Sequence, residues 1–389
     1  MTPAARVAAA IDILDRIADG EAAERALTRW ARGARFAGSG DRAAIRDHVF
    51  DVLRRWRSCA EWGGGDTGRA LMLGLLRGQG AEPDALFTGQ GHAPAPLSPD
   101  ERAAGAEPQG AAALDLPEWL WPHWQQSLGD QATAVADSLR HRAPVMLRVN
   151  SLRATPEAAR ATLADEGITC EQAGIAPTAL RVTEGARRVA QSAAYREGMI
   201  ELQDGASQAS IHEIPAASYC NILDYCAGGG GKALALAARF DAAVTAHDAL
   251  PARMKDLPTR AARAGAVLRM ADAAGVAASA PYDLVFADAP CSGSGAWRRA
   301  PEGKWALTQA RLQELTATQD DILHRAARLV APGGVLAYAT CSVLTCENED
   351  RVTAFSRAMP DWRLLHQRRW LPGPEGDGFF IAILELSKK

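Results

Sequence analysis

Lysine is nearly absent from this 389-residue chain, standing only at positions 232, 255, 304, 388 and 389, so its 43 basic residues are overwhelmingly arginine. Arginine presents a planar fork that matches phosphate, and the first 57 residues hold eleven of them against eight acids. That pattern fits an RNA-facing surface, and a coding bias toward arginine explains it equally well. With a net charge of −3 and a pI near 6.3, the whole chain does not demand nucleic acid; only a local basic face would. No apolar run approaches the ~20 residues that cross a bilayer. The start, MTPAARVAAAIDILDR, carries Asp12 and Asp15 inside its apolar stretch, which argues against a secretory signal. Seven cysteines include no CxxC pair, so zinc spacing is missing, no metal is expected, and an odd count points to reduced thiols in a cytoplasmic protein. No repeat of fixed period occurs. What is present is the 48% hydrophobic content of an ordinary soluble chain, long enough for two or three cores.

Along the chain, Val7, Ile11, Leu14 and Ile17 recur at helical spacing, as do Ile45, Val49, Val52, Leu53 and Trp56. Gly38 to Asp41 offers a turn and an N-cap between the two sets. Residues 1–78 therefore read as a helical domain that runs on to about 130 at most, and the Gly/Pro/Ala-rich stretch 79–117 as a linker or loose loop. Residues 118–200 read as a helical connector followed by a small α+β module. The tryptophans at 119, 121 and 124 are expected as core anchors or a docking seam. Residues 201–389 alternate strand-like runs (NILDY, AAVTAHD, AVLRMAD, YDLVFAD, GVLAYATC) with helical stretches, and close on the run GFFIAILELSKK. That grammar means βαβ units and an α/β fold with a doubly wound, mainly parallel sheet, whose ligands bind at the carboxyl ends of its strands.

Four of those strands finish at or near an aspartate: Asp224, Asp248, Asp272 and Asp288. They lie beside the loop DYCAGGGGKA, whose glycines let backbone N–H groups approach a ligand. A P-loop is excluded, because Cys226 and Ala233 occupy two of its required positions. A dinucleotide fingerprint is met loosely by Gly228, Gly230 and Ala233, with Asp248 twenty residues beyond the first of them for a ribose. S-adenosylmethionine fits as well, with Asp248 for the ribose and Asp272 for the adenine, and the loop alone does not separate the two. The cysteines do. Cys291 and Cys341 stand at the exits of the fourth and fifth strands, and hydride transfer has no use for them. Methylation of a pyrimidine carbon has: carbon 5 of cytosine becomes nucleophilic only after a thiolate adds at carbon 6.

Together, LDYCAGGGGKA, DAPCSGSGAWRRAPEGKW and ATCSVLTCENED resemble the RsmB/Nop/Sun family of RNA cytosine-5 methyltransferases, as do RVN (148–150), QDGASQ (203–208) and DGFF (377–380). The resemblance implies a class I, Rossmann-like methyltransferase fold preceded by the α+β module, with S-adenosylmethionine as cofactor. It makes Cys341 the attacking thiol and Cys291 the one that assists product release; Cys59, Cys170, Cys220, Cys226 and Cys346 receive no catalytic role. Cys226, Ala227, Gly228, Gly229, Gly230, Gly231 and Lys232 would wrap the cofactor, with Asp248, Arg253, Asp272 and Asp288 completing its site. Asp288 would also bond the cytosine edge, and Lys232 would favour the thiolate. Trp297, Arg298 and Arg299 would offer stacking and phosphate contacts to RNA. The family loop usually reads Cys-Ala-Ala-Pro-Gly-Gly-Lys; Gly228 and Gly229 replace its Ala-Pro here and remove a φ restraint. A chain that kept the fold and RNA binding but lost the chemistry is the rival reading, and only this altered loop speaks for it. The N-terminal helices resemble the NusB-like RNA-binding domain of bacterial members, which implies small-subunit ribosomal RNA as partner, a target base that is unpaired or flipped, and a monomer.

Overall fold

The computed structural model describes residues 1–387 and divides into two units: Met1–Arg142 with Trp297–Leu307, and Ala143–Ala296 with the chain from Thr308 onward. The first is helical, with its main helices at Pro3–Ala18, Ala23–Gly33, Ser39–Arg54, Trp56–Gly63 and Gly68–Gly78. Their apolar stripes meet in one core: Val7, Leu14, Ile45, Val49, Val52 and Leu53 are buried, while Ile11, Ile17 and Trp56 pack partly covered at its margin. Each fully buried aliphatic side chain contributes roughly 1.5–3 kcal/mol. Asp41, in the first turn of its helix, accepts the Gly38 N–H and the N-terminal ammonium, both at 3.2 Å. Gly74 is required by the crossing of the last two helices, because a Cβ there would lie 1.8 Å from the Cys59 carbonyl oxygen.

Residues 79–117 are not a loose linker. Short helices at Pro99–Ala103 and Gly110–Ala113 pack there, and Phe87, Leu97 and Leu116 are buried. Two arginines tie the stretch down: Arg69 pairs with Glu101, and Arg77 donates to the carbonyls of Trp62 and Ala104 at 2.7 Å. A few large apolar side chains and guanidinium forks thus hold a segment whose Gly/Pro content reads as loop. Trp124 is fully buried, stacked on Trp297 with ring centroids 5.9 Å apart. Trp297 and Arg298, expected to face RNA, are instead buried in this unit, where the Arg298 carbonyl accepts from Arg54 Nε at 2.8 Å. Arg299 alone of the three is exposed. Lys304 is buried beside them, donates to the Arg54 carbonyl at 3.0 Å, and is pushed down by burial to about 7.

The second unit holds two sheets. Strands β1 (Met146–Val149), β2 (Thr169–Gln172), β3 (Ala179–Glu184) and β4 (Ile200–Leu202) form an antiparallel sheet in the order β2-β3-β1-β4. A domain boundary at 200/201 would cut through β4, whose pairing with β1 keeps this module continuous with the chain beyond it. The larger sheet consists of β5 (Ile222–Asp224), β6 (Val244–Ala246), β7 (Leu268–Met270), β8 (Tyr282–Asp288), β9 (Val330–Thr340), β10 (Trp362–Trp370) and β11 (Phe379–Leu386), ordered β10-β11-β9-β8-β5-β6-β7. From β7 through β9 it is parallel; β11 runs antiparallel to β9, and β10 to β11. Near-continuous burial along β8 and the end of β9 explains their unbroken apolar sequences, since helices cover both faces of such strands. Chain order runs outward in opposite directions from the β5/β8 neighbours, so a crevice opens at their carboxyl ends.

Candidate active site

Register brings the two cysteines together. Asp288, the last residue of β8, pairs with Ala339 of β9. Cys291 lies three residues beyond the first and Cys341 two beyond the second, and both chains leave the same sheet edge. The alignment continues past the strands: Ala289 N–H donates to the Ala339 carbonyl at 2.9 Å, and Gly295 N–H to that of Cys341 at 3.0 Å. The two Sγ atoms end 3.4 Å apart, on residues that are each half-buried. The Cys291 thiol is pushed well above its ordinary value, first by the hydrogen bond with Cys341 and then by burial, with the charges of Cys341, Glu347 and Asp288 adding to both.

Lys232 faces this pair from the first turn of the helix Gly231–Phe240. Its ammonium pairs with Asp288 Oδ2 at 2.7 Å and lies 5.0 Å from the centre of the Phe379 ring. Burial pulls the Lys232 pKa down, but Asp288, Cys341 and Asp224 together raise it above the ordinary value. The site therefore keeps a cation beside Cys341, and carboxylates raise the Cys291 thiol. Asp224, at the end of β5, is fully buried, and neither of its oxygens has a well-formed hydrogen bond. Burial, then the Asp288 charge, push it up to about 7. Because this pKa is above the unfolded value near 4, the folded chain binds an extra proton across that window, and stability falls as pH rises through it. Asp224→Asn is accordingly expected to raise Tm by a few °C at pH 8 and to lose the advantage near pH 4. Thermal melts at the two pH values check this, and an unchanged Tm at pH 8 would contradict it.

The glycine loop lies between β5 and that same helix. Gly228 and Gly230 have φ of +52° and +80°, and a Cβ on Gly230 would come 2.1 Å from Leu257 Cδ1. The departure at Gly228 is thus used by the backbone, since alanine at that φ is strained. Asp248, buried just past β6, accepts the Gly228 N–H and the Leu250 N–H at 2.8 Å each, and Arg253 Nη1 reaches it at 3.2 Å. Gly228 and Arg253 both bond Oδ2, so Oδ1, which accepts only the Leu250 N–H, retains acceptor capacity toward a ligand. Asp272 is exposed, two residues beyond β7, where it caps the helix Ala273–Ser279 by accepting the Gly275 N–H at 2.8 Å. Cys226, in the same loop, is pushed above the ordinary thiol range by burial.

The remaining motifs buttress this loop. Arg148 donates to Gln203 Oε1 at 2.6 Å, and Gln203 Nε2 lies 3.5 Å from the Gly231 carbonyl. Asp204 accepts the Asp377 N–H at 2.9 Å, joining QDGASQ to DGFF. Three contributors have no role in the sequence reading: Phe379, which faces the Lys232 ammonium, and Glu347 with Gln319, which lie buried beneath the cysteine turns. Phe379 and Glu347 left traces there, inside the motifs DGFF and ATCSVLTCENED, and Gln319 left none.

Comparison with known proteins gives this geometry a family. Residues 215–385 match the model described as 16S rRNA methyltransferase RsmB/F, and residues 116–189 match a Methyltr_RsmF/B-like, ferredoxin-like domain. The ribosomal RNA small subunit methyltransferase B of Xanthomonas campestris pv. campestris is 33% identical over 292 residues, covering 69% of this chain and 66% of the relative. The Citrobacter koseri protein of the same name is 33% identical over 282 residues, with the same two coverages. The chain thus spans just under two thirds of the length of these relatives. The crystal structure of PH0851 superposes with a TM-score of 0.77 at 22% identity, covering 99% of both chains. A methyltransferase homolog protein from Pyrococcus horikoshii gives 0.62 at 22% identity, covering 70% of this chain and 96% of that one. Among the described residues, no helix is long and apolar enough to cross a membrane. With its Rossmann-like sheet, glycine loop and paired thiols, the chain belongs to the RsmB/F methyltransferase family.

Proposed function

We propose that this protein methylates carbon 5 of a cytosine in small-subunit ribosomal RNA, using S-adenosylmethionine and a transient bond between Cys341 and carbon 6. The observation that carries the reading is the pair of thiols 3.4 Å apart beside the Lys232–Asp288 ion pair. The loop fits the cofactor: two glycines hold a left-handed backbone there, and the buried Asp248 carboxylate has a lone pair left on Oδ1 for a ribose hydroxyl. When bound, S-adenosylmethionine supplies an electrophilic methyl group at its sulfonium. The chain's residues do the rest. An electron pair of the Cys341 sulfur, beside the Lys232 ammonium, forms the bond to carbon 6 while the ring's carbon 5–carbon 6 electrons become available at carbon 5. Asp288, held at the strand end by Lys232, takes the role of bonding the cytosine's ring edge in this scheme. After carbon 5 is methylated, its proton goes to a base. The ring electrons return, the carbon 6–sulfur bond breaks, and Cys341 leaves as thiolate. Asp248, Arg253 and Asp272 hold and orient the cofactor in this scheme, and none of them takes part in bond making.

Incubating the full chain with protein-free small-subunit rRNA and S-adenosylmethionine, followed by bisulfite sequencing, is expected to reveal a cytosine protected from conversion. Methylation that leaves every cytosine convertible would overturn the assignment to carbon 5, and no methylation of rRNA at all would overturn the substrate.

A further inference from the structure

Beneath the two cysteine turns lies a carboxylate that the reaction above does not use. Glu347 is fully buried and accepts four hydrogen bonds. Oε1 receives the Ser292 N–H at 2.8 Å and Gln319 Nε2 at 3.0 Å; Oε2 receives the hydroxyls of Ser292 and Ser342 at 2.5 Å each. Ser292 directly follows Cys291, and Ser342 directly follows Cys341. Gln319 adds a third tie, since its amide also donates to the carbonyl of Pro290, on the other side of Cys291, at 2.9 Å. Glu347 is itself held in place. Its carbonyl accepts the Tyr338 hydroxyl at 2.7 Å, and Asn348 beside it donates to the Ser342 carbonyl at 2.9 Å.

We propose that Glu347 is a positioning residue, fastening the turn after Cys291 to the turn after Cys341 and so setting the spacing of the two sulfurs. The inference deepens the two-thiol reading and rests on it. Burying a carboxylate costs several kcal/mol, and here the offset is four donors from the segments whose separation matters. An amide substitutes poorly. The Oε1 side faces two N–H donors that cannot reverse, so the NH2 of Gln would have to face the serines. Ser342 Oγ already accepts the Leu344 N–H at 3.0 Å and lies 2.9 Å from Ser294 Oγ, whose own lone pair takes the Val343 N–H at 2.9 Å. A new donor is accommodated only if Ser342 turns its proton toward Ser294, so the charge-assisted bonds from the two serines become weaker neutral ones and the link between the turns loosens. Aspartate keeps the charge but is one methylene too short to reach both turns. The Glu347 charge also helps to hold the Cys291 thiol protonated, after the larger effects of Cys341 and burial.

The test reads spacing without RNA or cofactor. Diamide, a diazene oxidant, takes two electrons and two protons from a neighbouring thiol pair and leaves a disulfide. In the full-length protein it is expected to form the Cys291–Cys341 disulfide readily, scored by peptide mass spectrometry, and in Glu347→Gln about 10-fold more slowly. In methylation assays the same variant is expected to lose up to ~10²-fold in kcat with the RNA KM nearly unchanged, as misplacement of a reacting group by about 1 Å does. Glu347→Asp is expected to fall between the two proteins in both measurements. If Glu347→Gln fails to fold, Ser292→Ala removes one tie only and is expected to slow disulfide formation several-fold. Disulfide formation at the wild-type rate in a folded Glu347→Gln or Ser292→Ala variant would overturn the proposal. Because the disulfide assay involves no methyl transfer, a failure of the cytosine reading would leave its result standing.

Discussion

Cys341→Ala abolishes methyl transfer, with an expected loss on the order of 10⁴–10⁶-fold in kcat, the scale seen when a covalent nucleophile is removed. The size follows from the chemistry. Without addition at carbon 6, carbon 5 of cytosine is part of an electron-poor ring and has no lone pair to offer. None of the other thiols substitutes: Cys291, Cys226 and Cys346 are pushed up, Cys59 and Cys170 are buried in other cores, and Cys220 precedes β5, at the opposite end of that strand from the site. Serine at 341 keeps the shape but carries a hydroxyl too weakly acidic for Lys232 to ionise, so Cys341→Ser is expected to be equally silent. Cofactor affinity should stay within a few-fold, because the glycine loop and Asp248 do not touch the substituted atom. Radiolabel incorporation into rRNA and a calorimetric titration with S-adenosylmethionine check both halves. Turnover near wild type in Cys341→Ala would sink the covalent reading, while joint loss of turnover and cofactor binding would point to collapse of the site instead.

What was legible in the sequence was legible for a physical reason. Strands β8 and β9 are buried on both faces toward the site, so their apolar runs are unbroken and end where the aspartate and the cysteines begin. The placement of Asp224, Asp248, Asp272 and Asp288 along one rim follows from that grammar without coordinates. Strand β10 was not legible: Trp362 and Trp370 are buried at its ends, but the residues between are mostly exposed, and WRLLHQRRW shows no core-facing run. Residues 79–117 were misread because Phe87, Leu97 and Leu116 are too widely spaced to register as a pattern, and the arginines that fix them act through space. Trp297 and Arg298 look like RNA contacts in sequence, since an aromatic beside a guanidinium suits both a base and a helical core. Only packing distinguishes these, and here the partners are Trp124 and Arg54. Glu347 lay in plain view within ATCSVLTCENED, yet an acid in a polar stretch reads as solvated until its four donors are seen.

Cys291→Ala has a different expected outcome, a covalent protein–RNA complex that survives denaturing electrophoresis. In the resting site the Cys291 thiol is held protonated chiefly by its hydrogen bond with Cys341, 3.4 Å away, and then by burial and the Cys341 charge. Alkylation of Cys341 by the pyrimidine converts that neighbour to a neutral thioether, which removes the first and third of these influences at once. Cys291 therefore becomes easier to deprotonate only after the bond to carbon 6 exists, and as thiolate it can take the carbon-5 proton that must leave before Cys341 is expelled. Removing it should leave the first methyl transfer intact and cut multiple turnover by roughly 10²–10⁴-fold, the span of a lost general base. The adduct should carry the methyl group and should be absent from the Cys291→Ala/Cys341→Ala double variant, which identifies its point of attachment. A Cys291→Ala protein that turns over freely, or an adduct that persists after Cys341 is removed, would show that the two sulfurs do not divide the work in this way.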